Sequence, residues 1–197
     1  GSINFGVLVS TKMCNEDVRR HGSGNAGMTN VLRVYGKKPA LLTFLGDYGK
    51  GLLSAFIGML LGGCGCGYFA LAFCMIGHAF PVFFKFKGGK CVATLFGGMT
   101  ALEPAAALIL FVFFFIIVWG TKYVSLGSVI GAALLPLMVE GAWKVLPWHV
   151  QGADYSTVII CSVFFACFIV WLHRANMKRL YNGEERKTNL FGRKKSE

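Results

Sequence analysis

The sequence predicts an all-α polytopic membrane protein with seven transmembrane helices, the N-terminus outside and the C-terminus cytoplasmic. Three observations carry this. Of 197 residues, 55% are hydrophobic and only 15% charged, with a mean hydropathy of +0.58, whereas soluble domains carry about 25% charged residues. The apolar residues gather into stretches approaching the ~20 residues that a spanning helix needs. The basic residues fall almost entirely in alternate connections between those stretches.

The chain opens at Gly1-Ser-Ile-Asn-Phe-Gly6, already apolar, and residues 1–11 read as a first span expected to lack its N-terminal part. Further spans are expected at about 39–62, 67–84, 92–103, 104–120, 125–146 and 154–172. The stretch from Pro104 to Trp119 contains no charge and is the clearest, while Val92 to Leu102 is the shortest. That short stretch decides the topology. One helix through 92–119 would put the basic C-terminal segment outside, whereas a break at Pro104 keeps it inside with the other basic connections. Lys12, Arg19, Arg20, Arg33, Lys37 and Lys38 then share one side with Lys85, Lys87, Lys90 and Lys122. Arg174, Lys178, Arg179, Arg186, Lys187, Arg193, Lys194 and Lys195 join them. The opposite connections, about 62–66, 103–105 and 147–153, contain no Lys or Arg. Residues 1–185 form a single membrane domain in this reading, and 186–197 a basic cytoplasmic tail.

The net charge of +11 fits the cytoplasmic-loop bias of membrane proteins, and also fits anionic substrates or lipid headgroups. Nucleic acid is excluded as a partner because the cations sit between apolar spans rather than along one face. Seven cysteines lie mostly in apolar segments, and Cys64-Gly-Cys66 lacks the spacing of a zinc site. No metal site or cofactor motif and no Ser-His-acid order appears.

Three polar segments fall on the cytoplasmic side. The first is His21-Gly-Ser-Gly-Asn-Ala-Gly-Met-Thr-Asn-Val-Leu-Arg33. Its Gly24, Gly27, Ser23, Asn25, Thr29 and Asn30 offer backbone amides and small polar groups suited to phosphate, with Arg33 for bidentate contact. It lacks the Gly-Lys-Ser/Thr ending of a Walker A loop. The second runs from Gly77 to Thr94, where Gly88-Gly89-Lys90 directly precedes the short fourth span. Backbone amides, a helix N-terminus and a Lys together suit an anion, while Lys85 and Lys87 read as headgroup contacts. The third opens with His173-Arg-Ala-Asn176 and runs to Glu184. His173 and Asn176 stand at i and i+3 on one helical face, whereas Arg174, Lys178 and Arg179 also fit a basic stop signal. Within the second span, Asp47 and Lys50 read either as an intramembrane functional pair or, preferably, as a structural pair anchoring the first segment. His78 reads as a packing residue, and Glu103 and Glu140 receive no role.

Taken in order, Gly22-Ser-Gly-Asn-Ala-Gly-Met-Thr-Asn-x-x-Arg33, Asp47-x-x-Lys-Gly51, Gly77-His-x-Phe-Pro81 with Lys87-Gly-Gly-Lys90, and His173-Arg-x-Asn176 to Gly183-x-Glu185 resemble one family. It is the bacterial acyl-phosphate:glycerol-3-phosphate acyltransferase family of the inner membrane. The resemblance covers residues 1 to about 185 and implies seven transmembrane helices with a cytoplasm-facing active site. It implies transfer of a fatty acyl group from acyl phosphate to the 1-hydroxyl of glycerol 3-phosphate, releasing lysophosphatidic acid and phosphate without a cofactor. Implied partners are those two substrates, membrane lipids and the soluble enzyme that makes acyl phosphate. The family's catalytic residues correspond to Ser23, Arg33, Lys90, His173 and Asn176. Gly24, Asn25, Gly27, Thr29, Asn30, Gly88, Gly89 and Arg174 are expected to bind substrate. Cys91 stands where the family pattern has Gly, and Met28 where it has a small Ala.

On this reading Arg33 and His173 hold the acceptor phosphate, Ser23 and Asn176 orient the glycerol hydroxyls, and Lys90 with the Gly88-Gly89 amides holds the acyl phosphate. The hydroxyl proton goes either to His173 or to the substrate's own phosphate. A transporter using Asp47 and Lys50, or an assembly protein whose loops bind anionic lipid, leaves the clustering of three Gly/Asn/His segments unexplained. Reporter fusions at the Gly88–Lys90 turn and after His173 are expected to report the same side of the membrane; opposite sides would rule out a shared site.

Overall fold

The structure is a computed structural model that describes residues 1–145 and 154–188. The expected 147–153 connection and the tail cations Arg193, Lys194 and Lys195 lie outside the described residues. All regular structure among the described residues is helical. The helices are α1 (Phe5–Cys14), α2 (Met28–Tyr35), α3 (Lys37–Ala79), α4 (Val92–Leu102), α5 (Pro104–Thr121), α6 (Val124–Val145), α7 (Tyr155–Leu172) and α8 (Arg174–Tyr181).

Local chemistry sets the boundaries. The Asn4 side chain caps α1 by accepting from the Val7 amide at 3.1 Å, satisfying one of the donors a helix start leaves open. α1 continues to Cys14, three residues past the expected end. α3 contains two of the expected spans, broken at Gly62–Gly63. Gly63 has φ +77°, a left-handed value that a glycine adopts without steric cost. The two halves fold back on each other, with Ser54 Oγ donating to Ala70 O at 3.0 Å. The second half stops at Ala79 rather than 84, because Pro81 disfavours helical angles at Phe80. The expected break between α4 and α5 occurs at Glu103, with Pro104 opening α5, where its missing N–H costs nothing.

Four stretches are long and apolar enough to cross a bilayer: Lys37–Phe84, Pro104–Thr121, Val124–Gly141 and Tyr155–Leu172. α1 and α4 are shorter apolar helices of 10 and 11 residues. Large apolar side chains such as Leu61, Phe73, Leu108, Ile116, Trp119 and Ile160 point outward, as suits contact with lipid. The core is also apolar and centres on Tyr68, Leu71, Met99, Leu102, Leu135 and Phe165.

Close approach of α3 and α4 depends on missing side chains. A Cβ on Gly51 would meet Thr94 O, and one on Gly97 would meet Tyr48 O. The bundle has two unlike ends. At one, the Gly62–Gly63 turn, the α4–α5 junction and the start of α7 converge; Glu103 there accepts from Tyr68 Oη at 3.0 Å. At the other lie all three polar segments. Glu140, unassigned from sequence, pairs with Lys144 at 2.7 Å, one turn along α6.

Gly97→Leu is expected to lower the Tm of the detergent-solubilised protein, since overpacking of a close contact costs ~1–3 kcal/mol. Gly120→Leu, which has open space around it, should leave Tm within about a degree.

Candidate active site

The first polar segment is a self-contained loop closed by Asn30. That side chain is 2% exposed, and its amide nitrogen lies 3.2, 3.1 and 2.9 Å from the carbonyls of Val18, His21 and Asn25. Its Oδ1 accepts from the Ser23 amide at 2.9 Å. Asn30 was expected to bind substrate; it borders the cavity, but its amide hydrogens and Oδ1 are engaged in organising the loop. The Gly24 and Gly27 amides likewise donate internally, to His21 O and Asn25 Oδ1. Outward, the loop presents the side chains of Ser23, Asn25 and Thr29, which line a cavity of the bundle.

The Gly88–Gly89 turn departs from expectation in the same way. Gly88 N donates to Ala79 O at 3.1 Å and Gly89 N to His78 O at 3.2 Å, so neither amide is open to an anion. Both residues are glycine for want of room: a Cβ on Gly88 would strike His78 O, and one on Gly89 the His78 ring. The amides that remain open are those of the first turn of α4, which an α-helix leaves unpaired. Cys91, Val92 and Ala93 at that helix start line the same cavity. Cys91 has φ +64°, in the left-handed region that favours glycine, the residue expected at this position from the sequence pattern. Its Sγ donates to Met75 O at 3.1 Å.

Beneath this turn sits a buried ion cluster. Lys50 Nζ lies 2.9 Å from Asp47 Oδ1 and 2.6 Å from His78 Nδ1, and donates to Ile3 O at 2.7 Å. His78 Nδ1 is 3.4 Å from the same carboxylate oxygen. The preferred structural reading of Asp47 and Lys50 is consistent with this geometry, but His78 is more than a packing residue. It joins the pair and, through its carbonyl and ring, seats Gly89. The cluster thereby ties α1, both halves of α3 and the Lys90 turn together.

Lys90 donates to Asn176 Oδ1. Asn176 Nδ2 in turn donates to Glu185 Oε1 at 2.6 Å. Glu185 also accepts from Ser125 Oγ at 2.8 Å and pairs with Arg179 at 2.8 Å. Arg33 Nη2 donates to Thr188 Oγ1 at 2.8 Å, and the Thr188 amide to Lys122 O at 2.8 Å. Residues 183–188 thus form a strap crossing from α8 to the start of α6. His173 caps α7 and is 3% exposed; its Nδ1 lies 2.8 Å from Ile169 O. A carbonyl only accepts, so Nδ1 carries the hydrogen and Nε2 is left as an acceptor.

Electrostatics follow from burial. Desolvation, with Arg179 and Arg33 nearby, pulls the Lys90 ammonium down to about 8. Burial and the Lys90 charge push the His173 imidazole down to about 4. Desolvation, then Arg186, lowers the Arg33 guanidinium from its ordinary value. Burial alone would raise the Glu185 carboxyl, but hydrogen bonds from Asn176, Ser125 and Arg179 hold it below the usual range. Among the described residues Arg179–Glu185 is the salt bridge of this cluster, and Lys90 and Arg33 have no carboxylate partner.

All five expected catalytic residues, Ser23, Arg33, Lys90, His173 and Asn176, line one cavity of about 520 Å³. Its head is polar and cationic. Its body is walled by Phe96, Met99, Phe111, Phe114, Phe115 and Leu135 from α4, α5 and α6. A smaller cavity of about 150 Å³, lined by Ser23, Gly24, Asn25, Lys90 and Arg179, meets the same Lys90–Asn176 pair. Arg174 is not in either lining: it donates to Trp171 O at 3.0 Å and stacks on the Trp171 ring at 4.5 Å, the disposition of a juxtamembrane anchor. The sequence reading missed Ser125 and Thr188, whose hydroxyls carry no motif, and gave Glu185 no role although its motif includes it. An acid inside so basic a segment was the available signal.

A cationic head opening into an apolar body, within a bundle clad in lipid-facing side chains, defines an integral membrane protein that brings an anionic group beside a long apolar one. Comparison with known proteins narrows this class. Residues 1–183 match the family model described as glycerol-3-phosphate acyltransferase, and the chain belongs to that family. It is 42% identical over 187 residues to a glycerol-3-phosphate acyltransferase of Syntrophomonas wolfei, covering 95% of this chain and 91% of that one. It is 39% identical over 201 residues to one from Clostridioides difficile, covering 99% and 92%. Among solved structures it resembles PlsY, an integral membrane glycerol 3-phosphate acyltransferase, in its glycerol 3-phosphate form. The TM-score is 0.85 at 34% identity, with 97% of this chain and 93% of that chain covered.

Removing the buried countercharge with Asp47→Ala is expected to cost ~3–5 kcal/mol, as when one partner of a buried ion pair is deleted. The check is the Tm of the purified protein, and Lys50→Met in the same background should recover part of the loss; additive losses would break the cluster assignment.

Proposed function

We propose that this protein transfers a fatty acyl group from an acyl phosphate to the 1-hydroxyl of glycerol 3-phosphate, giving lysophosphatidic acid and phosphate. We place it in the bacterial inner membrane as one domain of seven spans, N-terminus out, with the site facing the cytoplasm. The observation that carries the reading is the continuity of one cavity from the Lys90, Arg33, Asn176 and His173 head into the phenylalanine-lined body. A phosphorylated polar acceptor suits the head, and an acyl chain suits the body.

The two substrates each carry close to two negative charges, and their approach is repulsive unless cations stand between them. Lys90 sits between the two cavities and is assigned to the acyl phosphate, helped by the open amides at the start of α4 and by that helix's positive end. Arg33 is assigned to the acceptor phosphate. Ser23 and Asn176 orient the glycerol hydroxyls. For His173 the geometry favours a different role from phosphate binding. A neutral ring whose Nε2 is an acceptor suits the hydrogen of the 1-hydroxyl rather than an anion.

In the reaction the hydroxyl oxygen attacks the acyl carbonyl carbon, the bond from that carbon to the phosphate oxygen breaks, and phosphate leaves. The hydroxyl proton passes to the leaving phosphate. His173, with its imidazole pulled down to about 4 in the free site, is a weak base and serves to aim the hydroxyl. A mixed anhydride is already activated, so positioning and charge screening supply most of the acceleration.

The test is to incubate the purified protein with glycerol 3-phosphate and palmitoyl phosphate and to measure released phosphate and lysophosphatidic acid. Product with acyl phosphate and none with acyl-CoA or acyl carrier protein is expected; the reverse would overturn the donor assignment. Arg33→Ala and Lys90→Ala are each expected to lower kcat/KM by at least ~100-fold. With Lys90 near 8, its charge is present below that pH and lost as pH rises through it. KM for the acyl phosphate should therefore rise on the alkaline side, and Lys90→Arg should shift that limb upward. At saturating substrate the wild-type protein and a His173→Asn variant with residual activity should show the same pH profile of kcat between about pH 5.5 and 7, as expected if the ring is not the proton acceptor.

A further inference from the structure

The proposed mechanism uses Arg33 and Lys90 as phosphate-binding cations, but two more border the cavity head: Arg179, paired with Glu185, and Arg186. Arg186 stands on the 183–188 strap, lines the same cavity and lies near enough to Arg33 to disfavour its charge. No hydrogen bond or salt bridge holds its side chain among the described residues, and it is exposed to solvent. The neighbouring carboxylate cannot neutralise it, because Glu185 is already occupied by Asn176, Ser125 and Arg179. The adjacent Lys187 is turned outward onto the Tyr123 ring, 5.8 Å from its centroid. The strap itself is fixed on either side of Arg186, by Glu185 and by Thr188. A free cation on a fixed backbone, beside a second cation and above a cavity, leaves positive charge available to an incoming anion.

We propose that Arg186 is a substrate-binding residue that closes over the phosphate of the acceptor, opposite Arg33. The inference rests on the acyl-transfer reading. The acceptor is the natural choice of anion. Arg186 is at the solvent-facing rim with Arg33, whereas Lys90 is deeper, at the start of α4 beside the apolar body that suits the donor's chain. In the ligand-free site Thr188 occupies Arg33 through a neutral hydroxyl, a bond that a dianionic phosphate outcompetes. The phosphate would then be held between two guanidinium groups, one from α2 and one from the strap, and the strap would be drawn down on it. This gives the acceptor site a preference for a dianion over an uncharged polyol such as glycerol.

The test uses the full chain with palmitoyl phosphate as donor. Arg186→Gln is expected to raise KM for glycerol 3-phosphate roughly five- to twentyfold, with kcat within about twofold and KM for palmitoyl phosphate unchanged. Arg186→Lys, which keeps the charge, should recover most of the affinity, and the Tm of all three proteins should agree. An unchanged acceptor KM in Arg186→Gln, or a loss shared equally by the donor KM, would overturn the proposal. Calorimetric titration with glycerol 3-phosphate alone separates this from the acyl-transfer reading. If wild-type protein binds the acceptor and Arg186→Gln binds it more weakly, yet neither makes product with any acyl donor, Arg186 keeps its role and the reaction assignment fails. If wild-type and variant bind equally, Arg186 has no such role whatever the reaction.

Discussion

An excess of positive charge held in place without acids to match it is the constraint on which this structure turns. Lys90, Arg33, Arg179 and Arg186 converge on one end of the bundle, and the carboxylate of Glu185 answers only Arg179 directly. Burying cations this way is unfavourable, and the depressed Lys90 ammonium is its local signature. The surroundings keep the cations apart with neutral partners. Asn176 takes Lys90 and Thr188 takes Arg33, leaving the cluster arranged but uncompensated. Such a site is complete only with an anion in it.

Rigidity has to come from elsewhere in the bundle, and it comes from two internal devices. Asn30 cross-links the loop before α2 through three carbonyls and one amide. The Asp47, Lys50 and His78 cluster does the same for the turn that carries Lys90, reaching from α1 across both halves of α3. Neither device needs to touch a reactant to matter. Each converts a glycine-rich, intrinsically loose segment into a fixed edge of the cavity.

Much of this was legible in the sequence because lipid leaves few options: apolar runs become helices, and the Pro104 break and the Gly62–Gly63 reversal follow from the residues present. The five side chains expected to do chemistry do converge, since their residue types have few structural reasons to recur near apolar spans. What could not be read was direction. Glycine-rich segments suggest open amides, yet those of Gly24, Gly27, Gly88 and Gly89 are consumed internally, and the space saved by a missing Cβ is their actual use. Asn30 and Arg174 have the right chemistry but face inward to the loop and sideways to Trp171. Ser125 and Thr188 act only because the strap brings distant chain over the cavity, a juxtaposition that local pattern does not encode.

The brevity of α4 has a consequence for the size of the cavity. Eleven residues rise only ~16 Å, about half of the ~30 Å hydrocarbon layer. Beyond the cavity the short helix leaves its place in the bundle to the buried apolar side chains of the core, Met99, Leu102, Tyr68 and Phe165 among them. Enlarging the cavity toward those side chains would remove apolar packing from the interior, so the core bounds how far the cavity could expand.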